Sequence, residues 1–285
     1  MKKRKTKGLG KYYSPGTKLF CYLVMGFVIL ICIFPVAWVY LSSFKTNMEV
    51  LNGAFTLPKT PSFYGYEHAI TMTKIHLRYG TSIIVSFSAT VLSLLIYSMS
   101  AYVIARYEFK GKGFVFGLLI TSMLIPGEAI LQPTYNLISA IGLYDTKAGL
   151  IIVYVAFRMS MVLFLMRSYF ADIPKEIEES AVIEGASFPN IFLKIMLPLA
   201  HPALMSSAVL AFLACWNELL YALMLTSSES NRTLPLMVKY FTSSFSFNYP
   251  AMFAALVMYV TPSIVIYIIL QEQIMTSMIA GAVKG

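Results

Sequence analysis

Three ionisable side chains, Glu128, Arg158 and Glu218, stand inside long apolar runs of the sequence. A charge held in hydrocarbon is costly unless it meets a partner or a wet cavity, so residues of this kind mark a solute pathway or a fixed helix register. At about 1.5 Å per helical residue, Arg158 falls roughly 16 Å below the outer boundary of its run, and Glu128 about 8 Å below that of the preceding run. An arginine side chain spans that offset. The spacing predicts an Arg158–Glu128 pair, or a wider cluster with Glu218, in the outer half of the bundle; substrate contact and register-fixing are equally open as its role. Trp216, Asn217, Glu218 and Tyr221, with Gln132 and Tyr135, add amides, a carboxylate and aromatic rings. Those groups suit a solute that presents hydroxyls and flat apolar faces, although aromatic residues at span ends also act as interfacial anchors.

Catalytic and metal chemistry find no comparable footing. Cys21, Cys32 and Cys215 all fall in apolar blocks, His68 and His76 share one loop, and His201 stands alone, so neither a disulfide framework nor a metal site is expected. The spans hold no serine in a glycine-rich nucleophile context and no histidine to activate one, which argues against an intramembrane hydrolase.

The elements that must position these residues are membrane spans. The chain has 285 residues, of which 58% are hydrophobic and 12% charged, and its mean hydropathy of +0.71 is far above the soluble range. Six apolar blocks, about 19–41, 81–105, 114–137, 148–168, 199–226 and 251–271, are each long enough as a helix to cross the hydrocarbon core. Residues 1–18 form a basic tail without an acid, which keeps the N-terminus in the cytoplasm. An even number of spans returns the C-terminal tail, 272–285, to the same side, and about twice as many lysines and arginines then lie inside as outside. The net charge of +9 thus reflects topology and contact with anionic lipid headgroups, not a nucleic-acid partner. Outside, the loops 43–80 and 227–250 are prominent, the first resting partly on the membrane surface; inside, only 169–198 is large.

That inner segment reads as helix–turn–helix. Asp172 and Pro174 supply a helix start, and Glu176, Glu178 and Glu179 complement its positive end. Ile173, Ile177, Ala181 and Gly185 recur every four residues, a stripe that narrows along one face. Gly185 suits the helix end, Ser187 and Pro189 start a second helix with Phe188, Ile191, Phe192 and Ile195 on its apolar side, and Pro198 ends it. On physics alone the segment either lies on the headgroups or docks a partner; its carboxylates disfavour the first.

The order Glu179-Ser180-Ala181, three residues, Gly185, nine residues, then Ile195-Met196-Leu197-Pro198 resembles the EAA loop of ABC importer permeases, EAA-x3-G-x9-I-x-LP, with serine for one alanine. The likeness extends over nearly the whole chain: "FPVAWVYLSSFK", "SAYVIARYEFKGKG", "CWNELLYALML" and "IAGAVKG" resemble the smaller permease of maltose-type carbohydrate importers, with Thr81 where that family usually has asparagine. The resemblance implies an all-α type I importer permease in a bacterial inner membrane. Six spans would carry a cytoplasmic coupling hairpin between the fourth and fifth. It assigns Glu176, Glu178, Glu179, Ser180, Ala181, Glu184, Gly185, Ala186, Ile195, Leu197 and Pro198 to coupling with a cytoplasmic ATPase. It also sends the tail Gly281, Ala282, Val283, Lys284 and Gly285 between two ATPase subunits, and brings Asn231, Arg232 and Leu234 against an extracytoplasmic solute-binding protein. A second permease completes the expected assembly. No G-x-x-x-x-G-K-[ST] loop occurs, so ATP and Mg would be bound by the ATPase partners and this chain would be non-catalytic. The runner-up is a self-sufficient secondary carrier, which would want ion-coupling acids at midplane and repeated halves; neither is evident.

Overall fold

The computed structural model describes residues 14–53, 55–241 and 248–282, side chains of 238–240 and 272–282 excepted; Val283, Lys284 and Gly285 and most of the basic tail lie outside the described residues. Every regular element among the described residues is helical, and they contain no strand. In chain order the helices are α1 Pro15–Ser42, α2 Asn47–Asn52, α3 Tyr64–Thr73, α4 Ile75–Arg106, α5 Lys112–Thr121, α6 Leu131–Ala140, α7 Lys147–Asp172, α8 Glu176–Ile183, α9 Phe188–Asn190, α10 Leu197–Leu199, α11 His201–Trp216, α12 Leu220–Leu225 and α13 Tyr249–Ala282. The chain is an all-α membrane protein. Among the described residues four helices are long and apolar enough to cross a bilayer: α1, α4, α7 and the Tyr249–Gln271 part of α13.

The expected third and fifth spans are not straight rods. Lys112–Leu124 and Gly127–Ala140 meet at 96°, and Phe188–Leu199 meets His201–Trp216 at 78°. Six spans result if each bent pair counts as one. The cause at the first bend is Pro126, which lacks an amide hydrogen and holds Ile125 in extended backbone, φ −84° and ψ 114°. At the second, the helix breaks at Ala200, immediately ahead of the Pro202 that opens α11, and not at Pro198. The run 199–226 is interrupted again between Trp216 and Leu220.

The chain divides into two compact units, Met1–Ala69 with Ser244–Val257, and Ile70–Ser243 with Met258–Gly285. In the first unit, α1 opens on Ser14, whose hydroxyl accepts from the Thr17 amide at 3.3 Å. Thr46 and Glu49 form a reciprocal capping box on α2. Trp38 meets Phe253 edge-on at 5.1 Å, and α3 approaches the start of α13 so closely that a β-carbon on Gly65 would lie 2.6 Å from the Pro250 carbonyl oxygen.

In the second unit α4 and α7 pack along most of their lengths, with α11 against both. Small side chains make the approach close: Ala89, Ser93 and Ala101 of α4, Ser160 of α7, and Ala203, Ser207 and Ala211 of α11 are all buried. Toward the α8 end the core changes to Tyr102, Met166, Phe170, Phe192 and Met196, each 5% exposed or less.

Candidate functional site

The expected coupling segment is an ordered element with two different faces. Its helix, α8, begins at Glu176 behind Lys175, so Asp172 is not its start; that residue closes α7, and Pro174 lies in the link between them. The four-residue stripe accordingly begins at Ile177, Ile173 being extended. Ala181 is buried and Ile177 packs on the core, whereas Glu176, Glu179, Ser180, Glu184 and Gly185 face outward. Val182 and Ile183 are 61% and 87% exposed. The helix ends as its glycine requires: Gly185 sits at φ +80°, its amide donates to the Val182 carbonyl, and the Ala186 amide reaches back to Ala181. Beyond it, Ser187 and Pro189 start the second arm. Residues 191–196 then widen into a π turn that leads into α10, the turn holding Leu197 and Pro198. Ile191 and Phe192 are buried and Ile195 partly so.

The held face is fixed by residues the sequence reading passed over. The Arg106 guanidinium, at the end of α4, forms an ion pair through Nε with Glu178. Its Nη1 donates to the carbonyls of Ile173 at 2.8 Å and Phe170 at 3.3 Å, and Nη2 to Pro174 at 3.3 Å. These carbonyls lie where α7 ends; that of Phe170 also accepts from the Ile173 amide at 3.3 Å, while those of Ile173 and Pro174 lie past the helix, so a cation there serves them and suits the negative helix end. Tyr102, one turn earlier on α4 and fully buried, donates to the other Glu178 oxygen at 2.5 Å. Its ring is enclosed by Phe170, Phe188, Phe192 and Tyr107, all with centroids within 5.8 Å. A cleft of about 340 Å³ opens beside this knot, lined by Arg106, Tyr107, Lys175, Glu178, Glu179, Val182 and Ile183. The i, i+4 placement of Tyr102 and Arg106 was the available signal.

The polar residues of the spans gather at the two discontinuities. The Tyr221 hydroxyl donates to the Gly127 carbonyl at 2.8 Å, tying the break in the fifth run to the bend in the third. The carboxylate of Glu218 accepts from the Tyr221 amide at 2.9 Å, the Ala222 amide at 3.0 Å and the Tyr154 hydroxyl at 2.9 Å. Those amides open α12 and would otherwise lack an acceptor, so the glutamate serves the backbone that the interruption exposes. Asn217 accepts from the Tyr259 hydroxyl at 2.7 Å. Gln132 donates to Asn136 at 3.0 Å, Tyr135 meets Tyr144 edge-on at 5.5 Å, and Glu128 is exposed.

Two expectations for this region are corrected. Arg158 forms no ion pair with Glu128 or Glu218: its Nε is buried without a hydrogen-bond partner among the described residues, because the 96° bend carries Glu128 off the straight-helix path used to place it. Trp216 is 3% exposed and stacks on Phe212 at 5.7 Å, a core position in this chain and not an open surface.

At the far end of α4 and α7, the loop after α12 is bound to its own chain. Asp145, itself at φ 55°, accepts from the Ser227 amide at 2.9 Å, the Ser228 amide at 3.1 Å and the Ser228 hydroxyl at 3.0 Å. Burial raises the carboxyl pKa, and these hydrogen bonds more than offset it, leaving it below its ordinary value. Asn231 donates its side-chain amide to Asp145, and Arg232 pairs with Glu229, which also pairs with the buried Arg78. Leu234 is fully buried and its amide donates to Ser82 Oγ at 2.7 Å, so its side chain is not part of an outer surface. Gly281 and Ala282 are the last described residues of α13.

The sequence family described as binding-protein-dependent transport system inner membrane component matches residues 98–278. The trehalose transport system permease protein SugB of Mycobacterium tuberculosis is 33% identical over 265 residues, 92% of this chain and 95% of that protein. The diacetylchitobiose uptake system permease protein NgcG of Streptomyces coelicolor is 33% identical over 257 residues, 90% and 85% of the two chains. A solved structure of a bacterial ABC transporter involved in the import of the acidic polysaccharide alginate shares the fold, with a TM-score of 0.80 and 24% identity over 92% of this chain and 98% of that one.

Proposed function

The chain belongs to the binding-protein-dependent transport system inner membrane component family, and from that membership we infer that it is the sugar-conducting permease subunit of an ATP-driven importer. It is a multi-pass protein of the bacterial inner membrane and a permease, and in this reading it carries no catalytic chemistry of its own. In this reading residues 19–285 form one permease domain behind the basic tail 1–18, both termini are cytoplasmic, and a second permease completes the pathway. Two ATPase subunits bind ATP and Mg, and a solute-binding protein delivers the sugar from outside. Glu128, Gln132, Tyr135, Arg158, Asn217, Glu218 and Tyr221 line or support the route near the paired discontinuities, and Asn231 and Arg232 lie beside the docking surface for the binding protein.

One observation carries the coupling role. An eight-residue helix is too short to be stable alone in water, yet α8 is ordered, with Ala181 and Glu178 fastened inward and Glu179, Val182, Ile183 and Glu184 presented outward. Apolar side chains at an exposed tip ringed by carboxylates are unsuited to anionic headgroups and suited to a protein cleft. A secondary carrier has no use for such a knob.

The test is transport in proteoliposomes. Reconstitution with the second permease, ATPase and binding protein should give ATP-dependent accumulation of at least one sugar from a panel of mono-, di- and oligosaccharides. Accumulation by this chain alone under an ion gradient would refute the reading.

A further inference from the structure

We propose that Arg106 is the positioning residue that converts movement of α8 into movement of the membrane helices; the proposal rests on the coupling role inferred above. Its side chain is 4% exposed and meets three things at once: the end of its own helix α4, the carbonyls where α7 stops, and the carboxylate of Glu178 on α8. Were it simply a cation satisfying the end of α7, Glu178 would not be needed. Were Glu178 simply a surface carboxylate, it would not be held by a buried tyrosine hydroxyl as well, at 2.5 Å from Tyr102.

The arrangement matters because apolar packing is non-directional. The rings of Phe170, Phe188 and Phe192 around Tyr102 hold the hairpin against the bundle but permit sliding. Charge-assisted hydrogen bonds from a planar guanidinium fix direction and register. They join α8 to α4 and α7, the helices that pack most extensively in this unit, so a displacement at the outward face is passed to both together. Arg158 lies on one of them. The outward residues grip and the inward residues transmit, which divides one short helix between two tasks.

The experiment uses the assembled complex in nanodiscs, with Cys21 and Cys32 replaced by serine and a reporter Ala156→Cys on the exposed side of α7. ATP hydrolysis and the change in maleimide labelling on adding ATP and vanadate are read in the same preparation. Arg106→Gln should leave hydrolysis within about twofold of the parent while the nucleotide-driven labelling change falls about tenfold; Arg106→Lys should recover part of it. A full labelling change in Arg106→Gln overturns the proposal. If that variant does not assemble, Glu178→Gln, which keeps the shape and the Tyr102 contact, is read in the same way, and an undiminished change there also overturns it. A parent chain that recruits no ATPase refutes the functional reading and this proposal together, whereas a working parent with an insensitive Arg106 refutes the proposal alone.

Discussion

Replacing Glu218 by glutamine separates a structural carboxylate from a solute ligand. The glutamate accepts from three donors, the Tyr221 and Ala222 amides and the Tyr154 hydroxyl, all at 2.9–3.0 Å. A glutamine presents one acceptor oxygen, which holds at most two of them, and turns an NH2 group toward the third. Hydrogen bonds to a charged acceptor contribute about 1.5–3 kcal/mol each, and a donor left bare costs about 1–3 kcal/mol. Glu218 is only half-buried, so water recovers part of this, and the expected loss is about 2–4 kcal/mol. For a chain of this size that corresponds to a fall in Tm of roughly 5–10 °C. The assay is fluorescence-detected unfolding in one detergent at one scan rate, parent and Glu218→Gln side by side. A Tm within 1 °C of the parent, combined with abolished sugar uptake, would refute the structural assignment and make the carboxylate a direct solute contact.

Three further outcomes follow from local geometry. In Gly149→Ala the new β-carbon would lie 2.4 Å from the Leu143 carbonyl oxygen; overpacking of this kind costs about 1–3 kcal/mol, and a lower Tm and reduced membrane abundance should result. Gly185→Ala meets no atom within 4 Å, so its cost is purely that of a left-handed backbone, about 1–2 kcal/mol; uptake should fall through fraying of α8 while the Tm of the whole chain stays unchanged. The Asp145 carboxyl is held below its ordinary pKa by the Ser227 and Ser228 hydrogen bonds. Its contribution is therefore complete above the unfolded value near 4 and lost as pH falls through the lower folded value. Hydrogen exchange at the Ser227 and Ser228 amides, corrected for intrinsic rates, should rise on acidification below about pH 4 and be high at every pH in Asp145→Ala.

The helical class, the membrane location and the turn after α8 were legible because each has a local cause. Apolar run length gives the spans, and glycine at 185 gives the left-handed helix end. What was not legible is tertiary. The bends at Pro126 and Ala200 sit inside runs whose averaged hydropathy conceals them, although Pro126-Gly127 is a breaker signal in plain view. Once the third run bends, the distances that paired Arg158 with Glu128 no longer apply. Glu218 stands out in the sequence as an acid in an apolar run, but its partners, two amides of its own interrupted run and the Tyr154 hydroxyl, depend on a break and a packing that the sequence pattern does not display. Arg106 looked like one more inside charge; its contact with Glu178 spans 72 residues and no local pattern encodes it.

The most direct measurement is a photo-crosslink from position 183, the most exposed apolar side chain of α8. With a benzoylphenylalanine placed there in the native membrane, a nucleotide-binding subunit should be captured, in a yield that changes when ATP and vanadate are added. Capture of lipid alone, with uptake unaffected by Ile183→Asp, would contradict the account.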